Sequence, residues 1–137
     1  MTGFDILHAV NAPALCADVH IEVGVLPAHL APVRVVAADL AARADFDLDA
    51  VADLRMAVDE ACATLAILAQ PGARLRCWLQ IDWDRITVTA RIPAPGRSIS
   101  QDTFGWRVLA TLTDRVDVLD EDGSSLGIRL VMCRGTA

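Results

Sequence analysis

The stretch Asp53 to Leu68, DLRMAVDEACATLAIL, decides the fold. Together with Val51, its residues Leu54, Val58, Ala61, Leu65 and Leu68 recur at three- and four-residue spacing and draw one apolar stripe along a helix. Asp47 or Asp49 is placed to cap the start of that helix, and Pro71-Gly72 stops it. Glu60 and Thr64, one turn apart, share a face. A carboxylate beside such a stripe suits a general base, and a polar side chain one turn on suits a metal ion. Spacing alone leaves open a plainer reading, a solvated Glu next to a half-buried Thr.

Working outward, the periodicity changes on either side of this helix. Towards the amino terminus, Asp18 to Val25 alternates, with Val19, Ile21, Val23 and Val25 on one face and Asp18, His20 and Glu22 on the other, which predicts a half-buried strand. Pro27 then opens a helix striped by Leu30, Val33, Ala37, Leu40 and Ala44, with Arg34 at the stripe's edge. Beyond Gly72 the period drops to two. Leu75, Cys77, Leu79 and Ile81, then Ile86, Val88, Ala90 and Ile92, make a hairpin turned by Asp82-Trp83-Asp84-Arg85.

A Pro-, Gly- and Ser-rich loop runs from Pro93 to Thr103. A helix from about Thr103 to Arg115 follows, expected to turn Phe104, Val108, Leu109 and Leu112 inward, and strands close the chain at Val116 to Leu119 and Leu126 to Cys133. Hairpins with one polar face and about three amphipathic helices predict a two-layer α+β sandwich, its mixed, mainly antiparallel sheet covered on one face by helices. Residues 17–137 form one domain on this reading, and residues 1–16 an amino-terminal arm.

Composition narrows the function. The chain has 137 residues, 54% of them apolar, enough for one buried core. Its net charge is −6 and all 12 basic residues are Arg, so a nucleic-acid-binding stripe is not expected and a protein partner is. Without Lys there is neither a P-loop lysine nor a Schiff-base lysine. The amino terminus lacks a basic leader, and no apolar run reaches membrane-spanning length, so a cytoplasmic protein that does not enter the membrane is expected. Cys16, Cys62, Cys77 and Cys133 are scattered without paired spacing and read as reduced thiols rather than metal ligands.

Leu54-Arg55-Met56-Ala57-Val58-Asp59-Glu60-Ala61-Cys62-Ala63-Thr64 also resembles the N-box helix of the serine-kinase anti-sigma factors, the RsbW-like branch of the histidine-kinase-like (GHKL) ATPases, whose pattern is roughly L-x-x-A-V-S/D-E-A-C/V-x-N. The resemblance extends over about Asp18 to Arg134 in the order of elements. It implies a site for ATP and Mg2+, in which Glu60 is the base that activates a serine of an antagonist protein. Thr64 stands at the family's magnesium-binding Asn and offers a hydroxyl in place of an amide carbonyl, which weakens coordination.

Two further motifs of that family are altered. Its adenine-binding D-x-G-x-G falls at Ile92-Pro93-Ala94-Pro95-Gly96, where Ile92 replaces the Asp and Ala94 the first Gly. An adenine amino group without its acceptor in a dry pocket costs about 1–3 kcal/mol, one to two orders of magnitude in affinity. Its glycine pair at the last helix reads Thr103-Phe104-Gly105-Trp106 here, with one glycine kept, so bulky residues are expected to crowd the helix terminus on which phosphates lean. Gly105 read alone fits a tight packing contact equally well.

The resemblance therefore implies an anti-sigma factor that sequesters an alternative sigma factor of the stress-response type, is released by an anti-anti-sigma protein, and forms a homodimer, with its kinase activity weak or lost. It also implies that Arg34, in Val33-Arg34-Val35-Val36-Ala37, contacts both competing partners. The alternatives are an active ATP-dependent serine kinase using Glu60 and Thr64, and a small-molecule sensor on the same fold.

Overall fold

The computed structural model describes residues 17–135, so the amino-terminal arm and Cys16 lie outside the described residues. In chain order the elements are β1 (Ala17–Val23), α1 (Pro27–Arg43), α2 (Leu48–Leu68), β2 (Leu75–Ile81), β3 (Arg85–Pro93), α3 (Phe104–Leu112), β4 (Arg115–Glu121) and β5 (Ser125–Cys133). The strands form one five-stranded sheet in the order β1-β2-β3-β5-β4, with every neighbouring pair antiparallel. The crossover through α3 lets β5 insert between β3 and β4.

Each helix begins where its sequence supplies a suitable residue. Pro27 sits in the first turn of α1, where its missing N–H removes no hydrogen bond. Of the two candidate caps for α2, Asp47 does the work, its carboxylate accepting from Ala50 N at 2.8 Å. Inside α1, Pro32 lies on the exposed side of the helix, so the carbonyl whose hydrogen bond it removes, one turn back, is open to solvent rather than sealed in the core.

The core lies between the helices and one face of the sheet. Val33, Ala37 and Ala41 of α1, and Leu54, Ala57, Val58, Ala61 and Leu65 of α2, pack on Leu75, Cys77, Leu79, Ile86, Val88, Ile92, Ile128 and Leu130. These sheet residues alternate with outward-facing polar ones, as the period of two requires. Leu40 is only half-buried, and Ala41 takes the fully buried position in the stripe.

The third helix is shorter than its periodicity suggested. It ends at Leu112, because Thr113 turns extended and Asp114 is tied to β5, donating from its N–H to Val131 O at 2.9 Å and accepting from Cys133 N at 2.7 Å. Phe104, expected inward, is 80% exposed. It lies five residues before Leu109, which puts it about 140° around the helix from the buried side chain. Leu109 is the fully buried residue of α3, while Trp106 and Leu112 pack partly against the core.

Candidate functional site

The stripe of α2 that buries Leu54, Val58 and Leu65 leaves Glu60 and Thr64 at its flank, half-buried. The Thr64 hydroxyl donates to Glu60 Oε2 at 3.2 Å, so the two polar groups one turn apart are joined. The amino terminus of α3 closes over them. A Cβ on Gly105 would stand 3.0 Å from Glu60 Oε2 and 3.1 Å from its carboxyl carbon, so Gly105 is the packing contact that admits the carboxylate. Crowding at this terminus thus comes from Glu60 and not from Phe104, whose ring points to solvent.

Thr103 is the cap of α3, its hydroxyl accepting from Trp106 N at 3.1 Å. One of the free N–H groups on which a phosphate would lean is therefore already satisfied within the chain.

The other three positions lie in a different setting. Ile92 and Ala94 are buried in the core, and Gly96 sits in an exposed turn at φ 74°. Ala94 N donates to Ser124 O at 3.0 Å and Gly96 N to Gly123 O at 3.2 Å, so this loop is laced to the β4–β5 turn. Ile92 offers no acceptor for an amino group, because its side chain is spent on the core. Of the seven positions, Thr64 and Gly105 are each brought to Glu60 and Thr103 caps α3, whereas Ile92, Ala94 and Gly96 hold the end of β3 in place. Thr103 takes one N–H of the α3 terminus and Gly105 packs close to Glu60, so fewer free donors face a nucleotide here than an uncapped terminus would offer.

A second feature joins α1 to α2. Arg34 Nη1 meets Asp59 Oδ1 at 3.0 Å, with side-chain exposures of 40% and 51%. The pair stands at a cleft of about 380 Å³ whose apolar walls include Val25, Leu30, Ala66 and Ile67. Leu26, Val35 and Ile67 are exposed nearby on the same elements and the segment leading into α1. Asp59 was not singled out by spacing, because a contact 25 residues away depends on how the two helices pack. Its place next to Glu60 in the N-box run was the available signal.

Comparison with known proteins identifies the fold and the family. The histidine kinase-like ATPase domain family matches residues 23–133. The anti-sigma-F factor RsbW of Mycobacterium tuberculosis, from two strains, is 34% identical over 116 residues, covering 80% of this chain and 69% of the relative. A crystal structure of the RsbU and RsbW domains of Rv1364c, also from Mycobacterium tuberculosis, superposes with a TM-score of 0.62 at 16% identity, covering 88% of this chain and 34% of that one, and so shares the fold.

Five antiparallel strands under three helices, with an N-box glutamate on the central helix, define the class as a histidine kinase-like ATPase domain. Within that class, the chain belongs to the RsbW family of anti-sigma factors.

Proposed function

We propose that the protein acts by sequestration: it grips an alternative sigma factor of the stress-response type and yields it to an anti-anti-sigma protein, with phosphoryl transfer weak or lost. The observation that carries this reading is the Thr103 cap of α3, whose hydroxyl takes the Trp106 N–H that a nucleotide's phosphates would use, while Gly105 packs close to the Glu60 carboxylate. What remains for the family's activity is binding, and the cleft between α1 and α2 supplies a surface for it.

Arg34 at its rim presents a planar guanidinium beside apolar walls, a residue type and setting that often dominate interface energy. The net charge of −6 suits a basic partner surface. Family membership supports a homodimer working in the cytoplasm.

The test is to titrate the purified chain with the sigma factors of its own genome, with and without Mg2+ and ATP, and to offer labelled ATP together with the antagonist. The expected result is a complex whose affinity is unchanged by nucleotide, no transfer of label, and repression retained by Glu60→Ala, since a base matters only to phosphoryl transfer. Sigma binding that requires Mg2+–ATP, or label on the antagonist, would overturn sequestration as the sole mechanism.

A further inference from the structure

The sheet face turned away from the helices gathers positive charge at one end of an acidic protein. Alternation sends Arg76 and Trp78 of β2 and Arg91 of β3 to this face, and the register sets Arg76 directly opposite Arg91. Like charges so placed repel and destabilise a strand pair. Arg74, just before β2, adds a third guanidinium.

Carboxylates hold these groups from the flanks. Glu22 on β1 accepts from Arg76 Nε at 3.0 Å and Arg74 Nε at 3.3 Å, and the Arg74 and Arg76 hydrogen bonds keep its carboxyl below the usual range. Arg91 Nη1 reaches 3.1 Å from Glu121 Oε1 on β4. It does so by lying flat across β5, where a Cβ on Gly127 would stand 3.0 Å from Arg91 Cγ. Three guanidiniums face two carboxylates, and each arginine engages its acid through one nitrogen among the described residues, leaving further N–H donors on every fork.

Between them lies a cleft of about 660 Å³, whose lining includes Arg74, Arg76, Trp78, Arg91, Pro93 and Glu121. The volume is that of a small-molecule site. The Trp78 indole is held against the His20 ring, centroids 4.8 Å apart, and forms a rigid wall.

We propose that this cleft binds a small organic anion bearing phosphate or carboxylate groups, clamped between the opposed guanidiniums of Arg76 and Arg91. Guanidinium forks match such oxyanions bidentately, and an anion between them relieves the repulsion that the register imposes. The site is on the opposite face of the sheet from Glu60 and shares with the altered adenine motif only the end of β3, at Ile92 and Pro93.

Calorimetric titration of the whole chain with pyrophosphate and with citrate, each against chloride at equal ionic strength, tests it. Saturable binding of at least one is expected, with affinity lower by at least about tenfold in Arg76→Gln and in Arg91→Gln, and unchanged in Arg43→Gln, which removes an exposed guanidinium on α1. Arg76→Gln is expected to melt no lower than the wild type, so lost binding is not lost folding. Binding of pyrophosphate alone assigns a phosphate-bearing ligand, and of citrate alone a polycarboxylate. No saturable heat with either, or wild-type affinity in either arginine variant, overturns the proposal, as does a second copy of the chain that covers this face and excludes both anions.

Discussion

Glu60 and Gly105 form the residue-scale contact on which the functional reading turns. A Cβ at Gly105 would fall 3.0 Å from the carboxylate, so in Gly105→Ala the end of the Glu60 side chain must give by a few tenths of an ångström, at an expected cost of no more than about 1 kcal/mol in thermal or urea unfolding. In Glu60→Ala the obstructing atoms are gone and the same glycine substitution should cost much less. The non-additivity of this double-mutant cycle is the measurement, and additive penalties would show that the two residues do not press on each other. Arg34 is the second such residue. Arg34→Ala is expected to weaken sigma-factor binding by at least about 2 kcal/mol by competition titration, with melts close to wild type, since its ion pair with Asp59 is half-exposed and worth little to stability. Unchanged affinity would move the partner surface away from the α1–α2 cleft.

Among the elements, α2 is the one whose sequence carries its own start, stripe and stop. Its first turn depends on the Asp47 carboxylate at 2.8 Å from Ala50 N, so Asp47→Ala is expected to cost about 1 kcal/mol, measured by chemical denaturation, whereas Asp49→Ala, the other acid in that region, should cost less. Equal losses would mean that charge near the helix terminus matters and the cap bond does not. By contrast, α3 is shorter than its periodicity predicts and turns Phe104 outward. Nine residues give too few turns for periodicity to single out one face, and the tie from Asp114 to β5 ends the helix from outside.

For the molecule as a whole, the buried thiols give a pH-dependent test. Burial pushes the Cys77 thiol up to about 12 from its ordinary 9.0, and burial pushes Cys62 up as well, with the neighbouring Cys77 and Asp59 charges adding to it. A folded-state value raised above the unfolded one means stabilisation that is whole below pH 9.0 and is lost as pH rises towards about 12. Stability should therefore fall across that alkaline window, and Cys62→Ala together with Cys77→Ala should flatten the fall in urea titrations run at increasing pH. Under native conditions near neutrality, peptide mapping after alkylation should find Cys133 modified and Cys62 and Cys77 protected until the chain unfolds. Early modification of Cys77 would contradict a closed core.

The sequence by itself determined the order of elements, the faces of the first three strands and two long helices, and the family. Those depend on local periodicity, on punctuation by Pro27, Asp47 and Gly72, and on the contiguous N-box run through Glu60 and Thr64. Only the tertiary structure decided which altered motif residues act together. It placed Gly105 on Glu60 across the α2–α3 packing, sent the Ala94 and Gly96 N–H groups to the β4–β5 turn, joined Arg34 to Asp59 and set Arg76 opposite Arg91. Each of those contacts links residues far apart in the chain. Their partners follow from helix packing and strand register, which arise from burying the whole core at once and leave no trace in any one segment's pattern.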